Sequence, residues 1–138
     1  MKCKVLVLSH GKLAGSLVDT VRFIYGSTEG LEYINMPDPF DQNQYEENIR
    51  RIIENNKNNG VLVLCDLFGG SPFLTCTRIM KDFWDSMELL TGVNLGMLLE
   101  IMGSIEETEI RELKDKALNA GKENVIDIKE RLGGNNED

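Results

Sequence analysis

The chain has one histidine, His10, and it stands just after an aliphatic run, Val5-Leu-Val-Leu-Ser-His-Gly11. A second run, Val61-Leu-Val-Leu-Cys, leads into Asp66-Leu-Phe-Gly-Gly-Ser71-Pro72-Phe73. An imidazole with its ordinary pKa of about 6.5 is a nucleophile near neutral pH. A carboxylate that accepts the Nδ1 proton fixes the tautomer and leaves the Nε2 lone pair free, and it also stabilises positive charge on the ring. Gly69 and Gly70 let the backbone turn sharply before a helix, and a helix N-terminus behind such a loop is an anion site. Attack on phosphorus needs its oxygens held, a task for the N–H groups of Gly70 and Ser71 with the serine hydroxyl. There is no serine-elbow pattern, and Ser9 and Ser71 have no second histidine to activate them. A phosphorylatable histidine fits these residues better than a hydrolase.

Each residue also has a plain structural reading. A single loop histidine can be a solvated or capping residue, and Asp66 a turn residue. A Gly-Gly pair suits any tight strand-to-helix turn, while Ser71 and Asn94 can serve only as helix caps. The conjunction is more informative than any part: an imidazole, a carboxylate and a glycine-rich helix start all follow strands.

Five mostly aliphatic residues without alternation, as in Val61–Cys65, describe a strand buried on both faces. Strand one is read over Lys4–Ser9, strand two over Leu31–Met36 and strand four over Met87–Leu90. Leu13, Leu17, Val21 and Ile24 recur at helical spacing and stop at Gly26. Pro37-Asp-Pro-Phe40 is a stiff loop, and Asp41 begins a second helix with Tyr45, Ile49, Ile52 and Ile53 on one face. Ser71 as N-cap and Pro72 at the first helical position open a third. Met97–Met102 reads as a short apolar helix. A further helix spans Glu106–Ala120 and stops at Gly121, and Asn124–Lys129 reads as a last edge strand. Strands alternating with helices predict an α/β fold, a doubly wound, mainly parallel sheet with helices on both faces. The order 2-1-3-4 plus a C-terminal edge strand would seat strands one and three side by side. His10 and Asp66 would then meet at the crevice where strand order reverses.

One domain is expected over 1–130, followed by a polar tail, 131–138, expected to be disordered. A formal charge of −8 leaves no basic stripe for phosphates, which argues against a nucleic-acid partner. No apolar run is long enough to span a bilayer, and the start runs directly into a strand without a visible signal, so a cytoplasmic protein is expected. Cys3, Cys65 and Cys76 are odd in number and widely spaced, which describes three reduced thiols, at least two of them small core residues. With one histidine and no clustered cysteines, no metal site is expected.

Three motifs occur in order: Val-Leu-Ser-His-Gly, Asp-Leu-Phe-Gly-Gly-Ser-Pro-Phe and Thr-Gly-Val-Asn-Leu-Gly-Met-Leu-Leu-Glu. Over about residues 1–130 the chain resembles the enzyme IIA domain of the mannose family, part of the bacterial phosphoenolpyruvate-dependent sugar phosphotransferase system. The resemblance implies a phosphocarrier without cofactor. His10 would accept a phosphoryl group on Nε2 from the phosphocarrier protein HPr and pass it to a IIB domain, which serves the membrane subunits IIC and IID. Asp66 would orient His10, and Gly69, Gly70 and Ser71 would bind the phosphoryl group. Ser9, Gly11, Phe68 and Asn94 would form the rim. The resemblance further implies a cytoplasmic homodimer associated with an inner-membrane sugar transporter, its last strand crossing to the partner's sheet. Gly96 stands where many relatives have proline, and Phe68 where some have tryptophan. Both departures bear on partner choice. Sugar recognition would belong to the membrane subunits. The absence of a IIB region in this chain fits either a free-standing IIA protein or an excised domain. Other readings are the phosphocarrier subunit of dihydroxyacetone kinase, a flavodoxin-like ligand-binding module and a purely regulatory IIA-like domain.

Overall fold

The computed structural model of the chain describes residues 3–133. Four strands, β1 (Lys4–Leu8), β2 (Leu31–Ile34), β3 (Val61–Cys65) and β4 (Met87–Thr91), form one sheet in the order β2-β1-β3-β4. All three pairings are parallel, as the α/β alternation predicts. Strand two ends two residues early, and Met36 instead forms a single antiparallel bridge with Gly11.

Side-chain alternation along the central strands sorts the core into two layers. Val5 and Val7 of β1 and Leu62 and Leu64 of β3 face α1 (Leu13–Tyr25), α4 (Leu95–Met102) and α5 (Ile110–Glu123). Leu6 and Leu8, with Val61, Val63 and Cys65, face α2 (Gln42–Asn55) and α3 (Gly70–Met80). Both central strands are therefore buried on both faces, which is why their sequences do not alternate. Cys3, Cys65 and Cys76 are all buried free thiols within these layers.

Four helix boundaries differ from the sequence reading, and the smallest difference is at α4, which begins at Leu95 rather than Met97 behind its Asn94 cap. Ser71 is not the cap of α3: the cap position is Gly69, which has no side-chain cap hydrogen bond. Gly69 and Gly70, at φ of 114° and 82°, carry the chain through conformations that favour glycine, so the helix starts earlier. Helix α5 begins at Ile110 rather than Glu106, with Glu109 as its cap accepting from Arg111 N–H. Gly121 does not stop that helix. It lies buried within it, because a Cβ there would come 2.5 Å from Met97 Cε where α4 and α5 cross closely.

The expected C-terminal edge strand is not present among the described residues. After Asn124 the backbone is irregular, and Ile128–Gly133 forms a short helix, α6, with no buried residue. Nothing in the chain's own sheet pairs with this segment, so there is no ladder to hold it extended. Residues 131–133 of the expected tail finish α6, and residues 134–138 lie outside the described residues.

Candidate functional site

The register of the sheet builds the site. Leu8 of β1 lies opposite Cys65 of β3, so the chain continues from these neighbours into Ser9-His10 on one side and Asp66 on the other. His10 and Asp66, 56 positions apart, then meet twice. The backbone N–H of His10 donates to Asp66 Oδ2 at 3.0 Å, and His10 Nδ1 lies 3.0 Å from the same oxygen. An ionised carboxylate only accepts, so Nδ1 carries the proton and Nε2 presents a lone pair. Burial works to raise the Asp66 pKa, but the backbone and ring contacts from His10 outweigh it and hold the carboxyl below its ordinary range. The imidazole is 39% exposed and the carboxylate 11%, so the ring is reachable while the group that accepts from it is sheltered.

Gly70 supplies the floor under the ring. A Cβ built there would stand 2.7 Å from His10 Cε1 and 2.8 Å from Nε2, closer than side chains pack. The ring edge that bears Nε2 thus rests against the backbone at the start of α3. That helix has no side-chain cap, which leaves its first-turn N–H groups without a side-chain acceptor. Ser71 follows in the same turn, half-buried. Imidazole, carboxylate and an uncapped helix start therefore converge at one sheet edge. The arrangement suits transfer of an anionic group to or from Nε2.

The other expected residues are placed with less direct connection to the ring. Ser9 is fully buried, and its hydroxyl is engaged at both ends. It donates to the His10 carbonyl at 2.9 Å and accepts from Ala14 N–H at 2.6 Å, anchoring the start of α1. Gly11, at φ 55°, turns the chain away from the ring, and its carbonyl accepts from Met36 N–H. Asn94 caps α4, accepting from Met97 N–H at 2.9 Å and donating to the Gly121 carbonyl at 3.2 Å. It lies in the β4–α4 loop and makes no hydrogen bond to His10 or Asp66. Gly96 fits under Asn124, where a Cβ would overlap the amide of that side chain.

Phe68 stands 82% exposed beside Asp66, tilted against Phe73 with ring centroids 4.9 Å apart. Leu13 at the start of α1, Leu67 in the β3–α3 loop and Leu74 in the second turn of α3 are also exposed. Of these exposed apolar residues only Phe68 is a site candidate from the sequence. The leucines fit helical or loop patterns, and nothing in their spacing marks them as exposed. Cys65 and Cys76 lie under the site, but burial raises their thiols to about 11 and about 12, which keeps them inert. Among the described residues no group of three His, Cys, Asp or Glu side chains could hold a metal ion.

Comparison with known proteins bears on the family and the fold. The EIIA-man family, described as PTS system fructose IIA component, matches residues 4–118. The chain is 30% identical over 131 residues to the PTS system mannose-specific EIIAB component of Escherichia coli K12, covering 94% of this chain and 40% of that protein. It thus spans about two fifths of that relative's length. It is 26% identical over 117 residues to the PTS system fructose-specific EIIA component of Bacillus subtilis, covering 79% of this chain and 75% of the relative. In fold it is similar to the crystal structure of phosphotransferase system component EIIA from Streptococcus agalactiae. The TM-score there is 0.84 at 27% identity, covering 92% of this chain and 98% of the other.

Proposed function

The chain belongs to the EIIA-man family of PTS IIA components, and on that premise we propose that it is a phosphocarrier of a bacterial sugar phosphotransferase system. In this reading His10 Nε2 accepts a phosphoryl group from phospho-HPr and passes it to a IIB domain, which in turn serves membrane subunits IIC and IID. The observation that carries the reading is the doubled contact between His10 and Asp66 Oδ2, both at 3.0 Å, with Nε2 left facing Gly70.

The step needs little covalent chemistry from the protein. The Nε2 lone pair forms the new N–P bond as the N–P bond of the donor breaks, and the donor leaves as neutral imidazole. The positive charge that develops on the accepting ring is met by the Asp66 carboxylate through the Nδ1 proton. The N–H groups of Gly70 and Ser71, with the Ser71 hydroxyl and the turn at Gly69, hold the phosphoryl oxygens at the positive end of α3. Onward transfer is the same step reversed against a different partner. Phe68 and the neighbouring leucines give those partners an apolar surface around a small polar centre. Ser9, Gly11 and Asn94 support this rim by fixing α1 and α4.

The reading extends to assembly and place. Val125 is 87% exposed, and Ile126, Ile128 and Leu132 are exposed with it. Burying such a stretch against a second copy would remove apolar area from water, which supports a homodimer. No helix among the described residues is long and apolar enough to cross a membrane, and the carrier would work in the cytoplasm beside its transporter.

Incubation with enzyme I, HPr and phosphoenolpyruvate tests the reading. One acid-labile phosphate per chain is expected, absent from His10→Ala. Stoichiometric label in that variant, or no label in the wild type, would overturn it. Sedimentation tests the dimer, and a strictly monomeric, fully active chain would contradict it.

A further inference from the structure

Among the described residues, two buried side-chain polar atoms near the site have no hydrogen-bond partner: Asp66 Oδ1 and the Tyr45 hydroxyl. The first follows from the geometry already described. Both His10 contacts fall on Oδ2, so Oδ1 is left facing the interior. The second is a phenol 3% exposed, in the first turn of α2, its ring set edge-on to Phe40 with centroids 5.2 Å apart. Helix α2 follows a parallel strand and runs back along the sheet, so its first turn lies at the same strand ends as His10 and Asp66.

Tyr45 packs in the layer that contains Leu8 and Cys65, the residues immediately before Ser9 and Asp66. The hydrophobic members of that layer offer a phenol no good acceptor, and the buried Thr75 hydroxyl of α3 already accepts from Gln42 and Arg78. Burial raises the Tyr45 hydroxyl well above its ordinary pKa, and the Asp66 carboxylate is among the charges that add to the rise. The hydroxyl therefore stays protonated and lies within the field of that carboxylate. A buried donor and a buried acceptor left apart each carry a desolvation penalty that pairing removes.

We propose that Tyr45 is a positioning residue for phosphoryl transfer, its hydroxyl donating to Asp66 Oδ1 through one bridging water. Oδ2 then holds the imidazole while Oδ1 is held from behind, so the carboxylate cannot rotate away when charge appears on the ring. The inference rests on the function proposed above for His10 and Asp66. It adds the group that keeps the orienting residue oriented.

Tyr45→Phe removes the hydroxyl and keeps the ring that packs on Phe40. Loss of a donor to the charged form should move the Asp66 carboxyl titration, followed by carbon NMR, upward by roughly half a unit. Phosphoryl uptake should slow by roughly threefold to tenfold with the melting temperature little changed. In an Asp66→Asn background the same change should have no further effect on uptake. Should the phenylalanine variant fail to fold, 3-fluorotyrosine incorporation provides a second measurement. A more acidic phenol donates more strongly, so the Asp66 titration should move down. An unchanged Asp66 titration in either protein, or equal slowing in the wild-type and Asp66→Asn backgrounds, would overturn the inference. A wild-type chain that takes no phosphate would instead count against the phosphocarrier reading, while the Asp66 titration would still decide the role of Tyr45.

Discussion

Replacing Gly70 by alanine should damage phosphoryl uptake far more than it damages stability. The new Cβ would meet His10 Cε1 at 2.7 Å, so the ring must retreat about 0.7 Å to reach the 3.4 Å at which ordinary contact begins. A shift of that size takes the 3.0 Å contact with Asp66 to the limit of hydrogen bonding or past it. A hydrogen bond to a charged group is worth about 1.5–3 kcal/mol, so uptake should fall roughly tenfold to a hundredfold. Alanine at φ 82° also costs about 1–2 kcal/mol of backbone strain, whatever the ring does. Gly92 isolates that cost. It sits at φ 80°, and a Cβ there meets nothing within 4 Å. Gly92→Ala should therefore lower the melting temperature by a similar amount, roughly 3–8 °C, while leaving uptake near the wild-type rate. The assay is the rate of phosphoryl uptake from phospho-HPr, set beside thermal melts of the same proteins. If the two variants lose equal stability and Gly70→Ala takes phosphate as fast as the wild type, the ring does not rest on Gly70 and the site is wrongly built.

Asp66→Asn should keep the fold but slow uptake at least tenfold, about 1.4 kcal/mol or more, because an amide cannot neutralise charge on the ring; an unchanged rate would reduce Asp66 to a turn residue. Asp66 is held below the ordinary carboxylate range by the His10 contacts, which outweigh its burial. Its contribution to stability is therefore full above the unfolded pKa of about 3.9 and is lost as pH falls through the lower folded value. The difference in melting temperature between wild type and Asp66→Asn should accordingly shrink below about pH 4, and a constant difference down to pH 2 would refute this. Phe68→Ala removes a side chain that is 82% exposed, so stability should change by less than about 1 kcal/mol. The KM for phospho-HPr should rise severalfold, and an unaltered KM would remove Phe68 from the docking rim.

How much of this was legible beforehand differs from element to element. The central strands were plain because Val5–Leu8 and Val61–Cys65 are apolar without alternation, the mark of burial on both faces. The meeting of His10 with Asp66 followed from strand order, since parallel neighbours bring their following loops together. The start of α3 was misplaced because Ser71-Pro72 is a strong local signal, whereas the chain obeys a contact made between residues far apart in sequence. Gly70 must be bare for His10, and only the folded chain brings the two together. Gly121 misled for the same reason, since a glycine that admits Met97 looks like one that ends a helix. The apolar face of α2 marked Tyr45 as core, which its burial matches, but helical spacing carries no information about where a hydroxyl points. The last segment, with Val125, Ile126 and Ile128, has β-branched content that reads as strand, yet β propensity needs a neighbouring edge to become structure.

Phosphorus–nitrogen correlation NMR on the phosphorylated, imidazole-labelled chain tests the central claim most directly. The account predicts a single phosphohistidine, with phosphorus coupled to Nε2 of His10 and a proton retained on Nδ1 toward Asp66. Phosphorus on Nδ1, or on an oxygen of Asp66 or Ser71, would contradict it.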